Sequence, residues 1–264
     1  MRLGGARLDG FATTYANWRT LNGICLTIDV DFAPDYMIEH VLDILEAQSA
    51  RATIFATHDS PLLRRLPVAR YEIALHPYLE PSSTQGCGLV DILARLRASY
   101  PDAVGNRFHR LDFAYADLVG LGRLGMLYDV STLRFNCPCL LPAWHADLGL
   151  VLFTYSWEDG ICENAGLPLS LDAIDLDSAG LKIVNFHPLN VYLNGAGPET
   201  RLAFQRENPV LPDCPRAVAE RYRRREQGAE HALTALLHDL KLRGAAFFLL
   251  REVADAYRAA SMPA

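Results

Sequence analysis

Ile24-Cys25-Leu26-Thr27-Ile28-Asp29-Val30-Asp31 is the stretch whose reading decides the fold. Side chains alternate across a strand, so Ile24, Leu26, Ile28 and Val30 share one face and Cys25, Thr27, Asp29 and Asp31 the other. One face is continuously apolar, and the other ends in two carboxylates. After Pro34 the period changes: Met37, Val41, Leu42, Ile44 and Leu45 recur at helical spacing, predicting a helix over 34–48 behind a strand over 24–30. The same alternation continues along the chain. Strands are predicted over 52–56, 72–76, 104–109, 127–132, 150–155, 181–186 and 245–250, with helices over 89–99, 115–124, 216–242 and 251–260.

Strands separated by helices pair in parallel, because a parallel crossover needs a long connection. An open doubly wound sheet and a closed barrel both satisfy that rule. The open nucleotide-binding sheet usually carries a phosphate-cradling glycine loop, and the sequence has neither GxGxxG nor GxxxxGK[ST]. The expected fold is therefore α/β, an irregular (β/α) barrel of seven parallel strands, with residues 1–264 forming one domain. The Pro-, Gly- and Asn-rich stretch 193–215 is expected to be an inserted loop.

Composition narrows the function. Half of the residues are apolar and the formal net charge is -6, which argues against a nucleic-acid partner. The basic run 216–225 is read as a solvated helix face. Residues 1–18 lack an apolar stretch of signal-peptide length and no segment is apolar enough to span a membrane, so a cytoplasmic location is expected. The six cysteines follow no repeating frame, which suits reduced thiols. Cys137-Pro138-Cys139 lacks a second pair at matching spacing and is read as a structural loop.

Polar residues gather at predicted strand ends, where catalytic groups collect in a parallel barrel. Besides Asp29 and Asp31, His76 shares a strand face with Glu72 and Ala74, His187 with Ile183 and Asn185, and His109 with Arg107. Any one histidine is more often structural than functional. Three at strand ends with two aspartates suit hydrolysis of a stable amide. A metal needs N or O ligands with one open position for water, a separate carboxylate can take the water's proton, and an imidazole can protonate the departing amine.

Five stretches in order, 27–31, 72–77, 107–111, 156–159 and 186–188, resemble the polysaccharide deacetylases of the NodB-homology type, the family 4 carbohydrate esterases, with the WbmS-like branch nearest. The resemblance covers about residues 24–257. It implies Asp29 as general base, Asp31 and His76 as metal ligands, Arg107 as the group that orients Asp29, and His187 as the acid. Trp157 would form a wall against the sugar, and Asn185 is placed with it as substrate-binding. Where the family usually supplies a second histidine four residues after the first, Glu80 stands here, and Gln85 occupies the position of a later histidine in the WbmS-like pattern. The third ligand is therefore either Glu80, brought round by a helical turn starting at Pro77, or His109.

The function expected from this reading is metal-dependent removal of an N-acyl group, acetyl in the first instance, from an amino sugar or a small sugar-containing metabolite. The expected cofactor is a divalent metal, zinc in the first instance. The rival from another class is a silent barrel that binds carbohydrate or a partner protein. An amidase acting on a non-sugar amide would use the same chemistry.

Overall fold

The computed structural model describes residues 23–137, 140–178 and 180–261. The expectations for residues 1–18 and for Pro138 and Cys139 lie outside these residues. In chain order the elements are β1 (Gly23–Asp29), α1 (Asp35–Ala47), β2 (Ala52–Ala56), β3 (Tyr71–Leu75), α2 (Gly88–Ser99), β4 (Gly105–Asn106), α3 (Tyr115–Arg123), β5 (Tyr128–Leu133), β6 (Ala143–His145), β7 (Leu150–Tyr155) and β8 (Trp157–Glu158). They continue with α4 (Asp159–Ala165), β9 (Lys182–Phe186), α5 (Pro188–Leu193), α6 (Pro198–Glu207), α7 (Arg216–Ala219), α8 (Ala229–Leu242), β10 (Ala246–Phe247) and α9 (Leu250–Ser261).

The sheet runs β7-β5-β4-β3-β2-β1-β9-β8, all parallel. Its two ends are one piece of chain: β7 pairs with β5, Ser156 comes next, and β8 pairs with β9. The Ser156 N–H donates to the Ile183 carbonyl at 2.9 Å, which joins the seam. The sheet therefore closes on itself as an irregular barrel of seven parallel strand positions, the closed one of the two architectures that alternating strands and helices allow. Two short strands lie off the ring. β6 is antiparallel on β7, and β10 pairs only with the start of β1.

Closure divides the core in two. Cys25, Phe55, Ala74, Tyr128, Phe153 and Ile183 pack together inside the barrel. Ile24, Leu26, Ile28 and Val30 pack outward under the helices, where α1 buries Met37, Ile38, Val41, Leu42 and Leu45 along one stripe. Each such side chain contributes about 1.5–3 kcal/mol by leaving water, so the helical layer holds the barrel shut. β4 passes close to β5, and a Cβ on Gly105 would lie 1.9 Å from the Tyr128 ring, so only glycine fits there.

Several expectations are corrected. The strands predicted over 104–109 and 245–250 shrink to β4 and β10, because a 3₁₀ turn begins at His109 and α9 begins at Leu250. The predicted helix 216–242 is two helices, α7 and α8. Between them the Arg224 N–H donates to the Leu193 carbonyl, and the Asn194 side chain donates to the carbonyls of Arg224 and Glu226. A Cβ on Gly228 would lie 2.2 Å from the Asn194 carbonyl, so the chain must pass there as glycine. The basic run is accordingly not a single solvated face: Arg223 pairs with Glu230 at 2.7 Å and covers the Tyr192 ring. The stretch 193–215 is not only loop, since it carries α6 with Phe204 wholly buried. Among the described residues no helix is long and apolar enough to cross a membrane.

Candidate active site

The strand ends meet in an open cleft of about 620 Å³. Beneath its floor lies Arg107, wholly buried between the rings of Phe55 and Tyr155, each 4.4 Å from the guanidinium carbon. From there Nη1 donates to Asp29 Oδ1 at 2.8 Å, Asn185 Oδ1 at 2.8 Å and Thr27 Oγ1 at 3.0 Å. The Asn185 amide also donates to Asp29 Oδ2 at 3.0 Å. Asp29 is thus a buried carboxylate held through both oxygens by a cation and an amide, with its outer edge on the cleft. Burial works against the Arg107 charge, but Asp29, together with Tyr155 and Glu158, outweighs it and raises the guanidinium's pKa.

Just beyond β1, Asp31 and Phe32 adopt positive φ (49° and 60°), and the Phe32 N–H donates to Thr57 Oγ1 at 2.8 Å. This left-handed turn directs the Asp31 carboxylate back over the barrel end. There Asp31 Oδ1 lies 3.1 Å from His76 Nε2 and 3.0 Å from His109 Nδ1, and the two nitrogens are 3.2 Å apart. The other nitrogen of His76, Nδ1, is 2.7 Å from the Arg107 carbonyl, so it carries the proton and Nε2 presents a lone pair to the group. Tyr78 and Phe32 pack edge-on against His109, fixing its ring. Three donor atoms of a type that binds divalent metals therefore converge on one point.

On the opposite side His187 Nε2 lies 4.0 Å from Asp29 Oδ2 and 3.6 Å from Asp31 Oδ2. Its Nδ1 is 2.5 Å from Asp159 Oδ1, and its backbone N–H donates to Asp159 Oδ2 at 3.0 Å. Burial would depress the imidazole's pKa, but Asp159 and then Asp31 outweigh it and raise it well above the usual histidine value. Beside it Glu158 accepts from the Tyr155 hydroxyl at 2.6 Å, and burial pushes its carboxyl up.

A family model described as WbmS-like polysaccharide deacetylase matches residues 26–201. The chain belongs to that family. Among solved structures, this polysaccharide deacetylase family member is similar to WbmS of Bordetella bronchiseptica, a protein assigned to the polysaccharide deacetylases and to O-antigen biosynthesis. The two are 28% identical with a TM-score of 0.73, over 86% of this chain and 93% of that one. A protein assigned to the same enzymes from Mycobacterium smegmatis shares the fold at a TM-score of 0.60, with 15% identity over 96% of this chain and 95% of that one. No curated protein matches the chain in sequence.

In this family member the structure brings together Asp29, Asp31, His76, His109 and His187, with Arg107 directly beneath them. Three other sequence-based placements are corrected. Glu80 does not join the group, because no helical turn forms after Pro77: the Tyr78 N–H is taken by Gln85 Oε1 and the Pro77 carbonyl by the His109 N–H. The Glu80 carboxylate instead accepts from the Tyr78 hydroxyl and from Arg110, both at 2.7 Å. Trp157 is wholly buried against Phe186 and offers no wall to a substrate. Asn185 is also wholly buried and touches Asp29, Thr27 and Arg107 instead of the cleft.

Two partners escaped the sequence reading. Asp159 and Glu158 come directly after Trp157, and only the pairing of β8 with β9 carries them beside His187. The available signal was their acidity immediately after an apolar strand. Gln85 stands where the family pattern has a histidine, and its amide braces the His76 loop by donating to the carbonyls of Thr57 and His76.

Proposed function

We propose that the chain is a single-domain, metal-dependent N-deacylase acting on an amino sugar or sugar-containing metabolite, with acetyl as the acyl group and zinc as the metal. The observation that carries this reading is the convergence of Asp31, His76 and His109 beside Asp29 and His187 in one cleft. The group fits a small cation. Ligands about 2.0–2.1 Å from a tetrahedral zinc stand roughly 3.3 Å apart, close to the 3.0–3.2 Å separating these three atoms. Buried, unpaired Cys25, Cys162 and Cys214 suit a reducing compartment, which favours a cytoplasmic setting.

Asp31, His76 and His109 would hold a divalent ion, which would supply Lewis acidity to lower the pKa of water and polarise the acyl carbonyl. The chain's own residues do the rest. Asp29, with Arg107 and Asn185 fixing its orientation, takes the proton of the attacking water. As the new C–O bond forms and the C–N bond breaks, His187 gives the proton on Nε2 to the leaving nitrogen, while Asp159 holds the proton on Nδ1. Acetate and the free amine leave.

The test is metal binding read together with amine release from N-acetylated sugars. His109→Ala, which removes one of three ligands, is expected to lose both zinc at equilibrium dialysis and turnover. Glu80→Gln is expected to keep the metal. Zinc retained by the alanine variant, or amine release unaffected by a chelator, would sink the reading.

The Asp159 contact gives a separate expected result. Asp159 raises the pKa of His187, so Asp159→Asn lowers it, and the protonated acid is lost at lower pH than before. The alkaline limb of the pH profile of kcat/KM should move to lower pH. A limb that stays in place would remove His187 from the acid's role.

A further inference from the structure

The cleft has one cationic wall that the proposed chemistry does not use. α6 places Arg201 and Gln205, one turn apart and therefore on the same helix face, along the cleft, opposite Asn164 of α4. Phe204, between them in sequence, is wholly buried and stacks edge-on with Tyr222, so the helix is anchored while its polar face stays in the cleft.

The Arg201 guanidinium is incompletely satisfied. Nη2 donates to Asn164 Oδ1 at 2.5 Å, but Nε is buried without a hydrogen-bond acceptor and lies 3.5 Å from Glu163 Oε2. Glu163 is a buried carboxyl whose two oxygens also have no hydrogen-bond donor. Burial pushes it up to about 7, with Asp159 adding to the rise and Arg201 opposing it, so its charge offsets Arg201 only in part near neutral pH. Arg110, the other arginine of the cleft, differs: it is already paired with Glu80 at 2.7 Å. Arg201 is paired more loosely, at 3.5 Å and with a carboxyl whose charge is partly lost, and has guanidinium donors beyond the one given to Asn164. A planar guanidinium with an amide on either side matches an oxyanion, which it binds through paired, charge-assisted hydrogen bonds.

We propose that Arg201, with Gln205 and Asn164, forms a subsite for an oxyanion carried by the substrate, so that the amino sugar it selects is acidic. The oxyanion is a carboxylate on the ring or a phosphate ester at the sugar. The subsite rests on the deacylase reading for its placement beside the reacting amide, but its test does not depend on turnover.

Binding of N-acetylglucosaminuronate, N-acetylglucosamine 1-phosphate and neutral N-acetylglucosamine would be measured by calorimetry on the whole chain stripped of metal, so that no ion can hold the anion instead. At least one anionic ligand is expected to bind about 10- to 100-fold more tightly than the neutral sugar, the range that charge-assisted hydrogen bonds give. Which anion gains identifies its source. Arg201→Gln is expected to bring the ratio of anionic to neutral affinity near one. Because that variant strands Glu163, the double variant Glu163→Gln/Arg201→Gln is measured beside it and should give the same ratio. Equal affinities in the parent chain, or a preference that survives both variants, overturns the subsite. Should the preference hold while no amine is released with zinc supplied, the subsite stands and the deacylase reading fails.

Discussion

Asn in place of Asp29 is expected, on the proposed deacylase reading, to lower turnover by about 10²–10⁴ while leaving metal binding unchanged. The substitution preserves shape and leaves an oxygen for Arg107, at the cost of the hydrogen bond from the Asn185 amide, which then meets an amide N–H group instead of an oxygen. It removes a carboxylate that faces the cleft beside Asp31 yet lies outside the trio of donor atoms. Asp29 sits 3.7 Å from His76 Nε2, with both its oxygens already bonded to Arg107 and Asn185 from below. A base held in that way has only its cleft-facing edge to offer. Amine release and metal content measured on one preparation decide the matter: native turnover with metal bound would end the assignment of Asp29 as base.

Arg107→Met is expected to destabilise the fold by about 3–5 kcal/mol, the range found when one partner of a buried ion pair is removed. Methionine replaces much of the volume between Phe55 and Tyr155. It takes from the Asp29 carboxylate the cation bonded to it inside the barrel, and from the oxygens of Thr27 and Asn185 their shared donor. A denaturant titration at unchanged slope would show the loss as a lower midpoint. Asp29→Asn in the same chain removes the stranded charge and should recover part of it, so the double variant is expected to be less destabilised than the sum of the singles. A change under about 1 kcal/mol in the single variant would show that the pair is not what holds the barrel floor together.

The periodicity of residues 24–31 carried most of the barrel, since an alternating strand with a helical stripe behind it leaves few architectures. It also placed Asp29 correctly, because Asp29 is still inside the strand. It could not foresee that Asp31 reaches the site through two residues at positive φ, one of them phenylalanine, a conformation no spacing rule selects. His109 shows the same limit. It lies past the end of β4, in a turn where Arg110 and Leu111 both have positive φ, yet it still arrives beside Asp31. Trp157 and Asn185 illustrate the other gap. Alternation tells which way a side chain points but not how deep it lies, and both are covered: one by the helical layer, the other by the charged side chains around it. Asp159 was invisible for a third reason, that ring closure through Ser156 joins segments which no local pattern connects.

The thinness of β4 has a consequence for how the protein fails when warmed. Only Gly105 and Asn106 belong to the ladder there, and β4 meets β3 at the single register pair Leu75 and Asn106. The end of β4 and the residues after it are tied down by other bonds: Asn106 to Asp129, the Phe108 N–H to Ser131, and the Arg107 and His109 N–H groups to the carbonyls of Leu75 and Pro77. Segments with so few ladder bonds open locally at lower free energy than the whole molecule. His109 rides on that segment, whereas Asp31 and His76 stand just past β1 and β3. Thermal inactivation should therefore run ahead of global melting, beginning as a drift of one ligand away from two that stay. An ion shared by all three would act as a rivet across the rim, slowing the very breathing that would release it.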